Sequence, residues 1–244
     1  MGSGMPVTDA LRHALAPHGV LRVALNHANF LLVSSPAPDG QGVAADLGRE
    51  LARRLGVPCA FVGYADAGLV ADAAGRDAWD VAFIGADPAR AADVEFTPAY
   101  VEIEATWLVA PHAPVTDARD VDRPGIRIAV AARSAYHLFL QREVRQATLV
   151  LADGLPQSEA VFVRDGLEVL AGLRPHLMQV CERVPGSRLL PGRFMAVQQA
   201  LGVPTGRPGA AAFAAAFMQE AMDSGLVASL IVRHGVRGLS VPSR

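Results

Sequence analysis

The chain of 244 residues contains no lysine; all 22 of its Lys-plus-Arg positions are arginine. That excludes a Schiff-base lysine and the lysine of a phosphate-binding P-loop. A GC-rich coding sequence produces the same bias, so arginine abundance alone says little. Cysteine is scarce: Cys59 and Cys181 each lie in an apolar segment, and neither belongs to a CxxC pair or a Cys/His cluster. Two buried free thiols are therefore expected. No run approaches the ~20 apolar residues that a membrane span needs. There is no basic block, and with a formal net charge of -2 the acids and bases are mixed along the chain. Nothing here would neutralise a phosphate backbone, so nucleic acid is not an expected partner.

Catalytic signals are missing too. There is no nucleophile elbow, "GADPAR" and "GVPTGRPG" are too poor in glycine to cradle phosphates, and the seven histidines are scattered. None of them pairs with Cys or His at metal-ligand spacing. No cofactor, no metal and no enzymatic activity are expected. Internal repeats, low-complexity tails and linkers are also absent.

What is present is apolar: 51% of the residues are hydrophobic, enough for a sizeable core. The N-terminal "MGSG" reads as an expression scar, with Met5 as the native start. The following "MPVTDALRHALAPHG" lacks a basic region leading into an apolar one. A cytoplasmic location is expected, or a periplasmic one if a signal peptide has been removed.

The patterns alternate between helix and strand. "TDALRHALAP" predicts a short helix capped by Thr8. "VLRVAL" is a strand running into "NHANFLLVSS". In "GVAADLGRELARRLGV", Leu47, Leu51 and Leu55 recur four apart while Arg49, Glu50, Arg53 and Arg54 face outward, with Gly56 closing the helix. "PCAFVGY", an Ala-rich helix and "WDVAFIG" complete a β-α-β-α-β unit with short connections, which predicts a parallel sheet. A second set begins near Arg123: strand "GIRIAVA", a helix capped by Ser134, strand "TLVL", helix "PQSEAVFVRDG", strand "LEVLAGL", helix "RPHLMQVCERV" and a short strand "SRLL". The long strand "FMAVQQALGV" and two final helices follow.

The expected fold class is therefore α/β, with two α/β lobes joined by two hinge crossings. The first crossing lies near "YVEIEATWLV" and the return is in "FMAVQQALGV". Lobe 1 is expected over residues 5–102 plus 198–244 and lobe 2 over 105–195. Two crossings leave a cleft, and in open α/β sheets ligands sit outside the carboxyl ends of strands. Four segments qualify: Asn26 to Phe30, the loop after "DVAFIG", the helix start at Ser134, and the loop after "LEVLAGL".

The segments "LRVAL", "GVAADLGRELARRLGV", "WDVAFIGADPARAADVEFTPAY", "DVDRPGIRIAV..RSAY" and "MDSGLVASLIVRHG" carry a resemblance. In order and spacing they resemble the solute-binding proteins of the type II periplasmic fold that serve polar amino-acid ABC transporters. The resemblance spans the chain from Leu21, and "WDVAF…PARAADVEFTPAY" is its most specific piece. It implies that Arg90 forms a bidentate pair with a ligand carboxylate, a match between a planar fork of donors and two oxygens. It implies ligand contacts from Asn26, Asn29 and Phe30. It also implies contacts from Ser134 with the helix-start amides of Ala135 and Tyr136; Arg174 is a further candidate contact read from this sequence.

The departures from the family pattern matter. "IGADPAR" lacks the hydroxyls expected before the arginine. Arg133 stands where a glycine is expected. After "LEVLAGL", Gly172, Leu173 and Arg174 replace the acid that holds an amino acid's ammonium. A carboxylate or dicarboxylate without an amine is therefore the expected ligand, bound by a monomer through hinge closure. If exported, the protein would deliver it to an ABC permease. The alternatives are a cyclohexadienyl-type dehydratase using Glu102 or Glu104 as its acid, and a cytoplasmic metabolite sensor. Glu102 and Glu104 share one strand face, where a salt bridge setting lobe orientation is the simpler expectation.

Overall fold

A computed structural model describes residues 6–242. The "MGSG" scar and the Met5 start lie outside the described residues. The chain divides into two compact units: unit 1 runs to Glu102 and resumes at Gln198, and unit 2 is Ile103–Val197.

Unit 1 opens with α1 (Asp9–Leu15), whose first turn is capped by the Thr8 side chain accepting from Leu11 N–H. Strand β1 (Leu21–Asn26) ends where the Asn26 side chain accepts from Ala28 N–H, so the strand does not run on through the following residues. Helix α2 (Val43–Leu55) buries Leu47, Leu51 and Leu55 completely. Each of these side chains contributes roughly 1.5–3 kcal/mol by leaving water. Gly56 closes the helix at φ 70°, in the left-handed region that glycine enters without penalty. Strand β2 (Cys59–Tyr64), helix α3 (Ala67–Asp72) and strand β3 (Val81–Gly85) complete the parallel part. β1 lies between β2 and β3, with Leu21 opposite Cys59 and Leu25 opposite Phe83. Between α3 and β3, Trp79 is fully buried and its indole N–H donates to Val70 O at 3.0 Å. It packs in a cluster with Ala24, Val70, Ile84 and Val94.

Strand β4 (Val94–Phe96) follows, and β5 (Val101–Val109) carries the chain into unit 2. There β6 (Arg127–Ala131), α4 (Ala135–Glu143), β7 (Thr148–Ala152), α5 (Leu155–Arg164), β8 (Val169–Leu173) and α6 (Arg174–Arg183) alternate. β6 pairs in parallel with β7 and β8, while β8 runs antiparallel to β5. The short β9 (Arg188–Leu189) lies against β5, with Leu189 opposite Leu108.

Strand β10 (Met195–Pro204) returns the chain to unit 1, antiparallel to β3 and β4. Helices α7 (Ala210–Asp223) and α8 (Leu226–Arg233) and the two-residue β11 (Leu239–Ser240) finish the fold. Among the described residues no single helix is long and apolar enough to cross a membrane.

Two charged assemblies sit differently in the two units. In unit 1 the fully buried Asp80 accepts from Arg22 N–H at 2.9 Å, from Arg22 Nη2 at 2.8 Å and from Arg207 Nη1 at 2.9 Å. Arg207 arrives from the segment between β10 and α7, so this carboxylate ties the two ends of unit 1 together. In unit 2, Arg127 forks onto the Glu168 carboxylate at 2.8 and 2.9 Å. The cysteines depart from expectation: both are free, but each is only partly buried, because β2 is an edge strand and α6 faces the surface. Burial still pushes the Cys59 thiol up to about 11.

Candidate functional site

In unit 1, the candidate residues follow the ends of β1 and β3, which are neighbours in the sheet. After Gly85 the chain turns at Asp87, whose carboxylate accepts from Ala89 N–H at 2.9 Å. With Pro88 setting φ, this caps a short 3-10 turn over Pro88–Arg90. The turn delivers Arg90 back toward the sheet: its Nη1 donates to Gly85 O at 2.5 Å, and the residue is 5% exposed. Arg90 thus holds a planar guanidinium in a poorly solvated place. Charge-assisted pairs there are stronger than in open water.

The loop after β1 is just as constrained. Asn29 O accepts from both Leu32 N–H and Val33 N–H, and Leu32 O accepts from Ala44 N–H at the start of α2. Gly42 precedes that helix at φ 115°, and a Cβ there would collide with the Leu32 carbonyl. Asn26 spends its side-chain oxygen on the turn, Asn29 is buried at 6% exposure, and Phe30 stands at the surface at 37%. On the other side of β3 runs β10, where Gln199 pairs with Gly85. Among the described residues, unit 1 leaves Asn29 Oδ1, Gln199 Oε1 and the Tyr100 hydroxyl buried without a hydrogen-bond partner. Tyr100 meets Phe83 edge-on at 5.7 Å, and burial pushes its phenol far up.

In unit 2, Ser134 is the N-cap of α4. Its hydroxyl accepts from His137 N–H at 3.1 Å and donates to Ala131 O at 2.8 Å. The amides of Ala135 and Tyr136 lie in the first turn, whose donors have no acceptor within the helix. The Tyr136 ring is buried; burial pushes its phenol up, and the Ser134 hydroxyl offsets this only in part. Arg133 holds φ 61°, the left-handed conformation that glycine takes readily and arginine does not. Its N–H donates to His137 Nδ1 at 3.0 Å, so that ring nitrogen must be unprotonated, and burial lowers the His137 pKa in the same direction.

Arg174 opens α6. Its Nε donates to Glu104 Oε2 at 2.6 Å, and Nη2 reaches the Gly192 carbonyl. The two side chains are 27% and 44% exposed. A second cation, Arg193, stands 3.8 Å from the other Glu104 oxygen. The end of β8 does have a carboxylate beside it, supplied by the neighbouring strand, because β5 and β8 pair with Ala105 opposite Leu173. Glu104 binds Arg174 within unit 2, and Glu102 accepts from Gln198 Nε2 at 2.9 Å within unit 1. Aromatic packing lies along the same strand, with Trp107 and Phe194 4.2 Å apart between ring centroids.

Two compact units of alternating strands and helices, with the chain crossing between them on β5 and returning on β10, make up the chain. The chain belongs to the bacterial extracellular solute-binding proteins, family 3, whose model matches residues 23–236. A histidine kinase sensor domain with similarity to periplasmic binding proteins is similar at TM-score 0.75 and 17% identity, over 92% of this chain and 99% of that one. An amino acid ABC transporter substrate-binding protein from Streptococcus pneumoniae, bound to L-arginine, is similar at TM-score 0.73 and 16% identity, over 95% and 99%. The ancestral amino acid-binding protein AncCDT-1, a precursor of cyclohexadienyl dehydratase, is similar at TM-score 0.72 and 17% identity, over 91% and 98%. At these identities the likeness shows the fold, the type II periplasmic binding fold. A comparison with curated protein sequences finds no match.

Proposed function

We propose that this protein is an exported solute-binding protein that captures a small carboxylate on Arg90. The observation that carries the reading is the Arg90 guanidinium, buried at 5% exposure and pinned to Gly85 O where β1 and β3 end. A planar cation held in that way suits a bidentate carboxylate. Asn29 and Phe30 supply a polar and an apolar wall on one side, with Asn26 shaping the turn that holds them. Unit 2 offers its own contacts: the Ala135 and Tyr136 amides at the α4 N-terminus, with Ser134 as cap, suit an anionic group. Arg174 contributes a donor beside Glu104.

The family description, extracellular, supports export over a cytoplasmic place, and an ABC permease is then the proposed partner. No catalytic step is proposed.

The test is a thermal-shift panel of carboxylates, amino acids, keto acids and dicarboxylates, run on protein unfolded and refolded to strip carried-over solute. A tight ligand at saturation adds several kcal/mol, a shift of about several degrees for a chain of this size. Arg90→Met should sharply reduce the response to every carboxylate while leaving the unliganded fold intact. An unchanged response in Arg90→Met would overturn the anchor, and turnover of a cyclohexadienyl acid would overturn the binding role.

A further inference from the structure

The turn that leads from β6 into α4 is held in a costly shape. Arg133 stands there at φ 61°, a region that a residue with a Cβ enters at a penalty. Such a conformation persists only where the surroundings fix it. One residue of α4 fixes it at two points. The His137 ring accepts the Arg133 N–H on Nδ1 at 3.0 Å, and the His137 main-chain N–H donates to Ser134 Oγ at 3.1 Å. Ser134 Oγ in turn donates to Ala131 O at 2.8 Å. His137 therefore grips two successive residues, and the turn they form sets where the Ser134 cap and the Ala135 and Tyr136 amides stand.

The grip depends on a lone pair. The neutral ring carries its proton on Nε2; a second proton, on Nδ1, would set one N–H against another and strip Arg133 N–H of its acceptor. His137 is 6% exposed, so water is poorly placed to take over, and a buried donor left unmet is costly. The ionisable groups along the surrounding elements are few. The turn has Arg133, and α4 has the Tyr136 phenol with Arg142 and Glu143 at its far end. β7 is followed by Asp153, next to the Ala152 carbonyl that accepts from Ala132 N–H at 2.8 Å. β6 carries Arg127 at its opposite end and none from Ile128 to Ala131. Of these side-chain types only imidazole ordinarily changes charge between pH 5 and 8. Burial lowers the His137 pKa, so the grip holds at neutral pH and yields in acid.

We infer that His137 is a positioning residue for the solute contacts of unit 2: its unprotonated ring holds the Arg133–Ser134 turn, and a proton on Nδ1 releases the turn and weakens solute binding. The effect on solute rests on the α4 contacts proposed above; the hold on the turn does not.

Two readouts keep these apart. The first needs no solute. In isotope-labelled protein titrated from about pH 7.5 to about pH 5, NMR follows the His137 ring nitrogens and the Arg133 and Ser134 amides. Ring and amides should move with one midpoint. His137→Asn puts an oxygen that takes no proton near the place of Nδ1, and its amides should stay in the neutral-pH state throughout. His137→Leu should show the released turn already at neutral pH. The second readout is calorimetric titration over the same range with glutamate, 2-oxoglutarate, lactate and phenylpyruvate. For any of these that binds, affinity should fall about tenfold in acid, and His137→Asn should keep the neutral-pH affinity across the range. That comparison cancels any titration of the probe itself. His137→Leu should be about tenfold weaker at neutral pH. Amides that do not follow the ring, or a pH profile in His137→Asn equal to the parent's, would overturn the inference. Amides that follow the ring while affinity stays level would discard the solute role. If none of these acids binds, the solute role falls with the reading it rests on, and the NMR titration alone decides the hold on the turn.

Discussion

The two units share an α/β plan but treat charge in opposite ways. Unit 1 takes its ions inside: Asp80 is fully buried between Arg22 and Arg207, and Arg90 is buried at the strand ends. Unit 2 keeps its principal ion cluster, Arg174 with Glu104 and Arg193, largely at the surface. A buried ion is tolerable only when fully partnered and held still, and that makes it a fixed reference point. A surface pair is worth little and exchanges partners easily. The difference teaches where rigidity resides: unit 1 holds its buried ions in place, and unit 2 leaves its surface pairs able to exchange partners.

The sharpest way to break this contrast is Asp80→Asn. Stranding Arg22 and Arg207 should destabilise unit 1 by about 3–5 kcal/mol. The chain has one tryptophan in each unit, Trp79 and Trp107. Urea unfolding in a Trp107→Phe background should therefore show the loss at Trp79. A change under about 1 kcal/mol would mean that the buried network is slack. Next in size is Arg90→Met, expected to weaken carboxylate binding about a hundredfold by titration calorimetry.

Smaller effects belong to unit 2. Arg133→Gly should stabilise it by about 1 kcal/mol, by releasing an arginine from the left-handed region, read from the denaturant midpoint. A double-mutant cycle on Glu104→Gln and Arg174→Ala should give a coupling below about 1 kcal/mol. Coupling several times larger would make the pair a structural clamp.

The smallest effect is a pH dependence. Burial lowers the pKa of His137, and its Nδ1 accepts the Arg133 N–H. The unfolded imidazole takes its proton near the ordinary value of about 6.5, and the folded one only at lower pH. Below about pH 6.5 the unfolded state binds more protons, so stability falls as pH drops through that region. His137→Gln should flatten this slope in thermal unfolding between neutral and mildly acidic pH.

Much of this was legible from local pattern. The leucines of α2 announced their buried face, Thr8 and Ser134 announced helix starts, and "WDVAFIGADPAR" placed a charged residue directly after an apolar strand. Arg133 at a glycine position flagged the strained backbone that the fold shows at φ 61°. Pairing across strands was not legible. Glu104 and Arg174 are far apart in the chain, and only the β5–β8 register brings them to 2.6 Å. For the same reason nothing in the local pattern tells Gln198 from Gln199. Only the register with β3 separates them, sending Gln198 to Glu102 and setting Gln199 opposite Gly85. Asn26 had a legible role, since an asparagine ending a strand commonly serves the turn.

The Asp80 network also bears on the order of events during synthesis. Arg22 and Asp80 leave the ribosome early, but Arg207 follows only after all of unit 2 has been made. The carboxylate at the heart of unit 1 is short of a cation until then, and β3 lacks its partner strand β10. Unit 2, continuous in sequence, has no such wait. The N-terminal segment therefore completes its ion network only after unit 2 has been made.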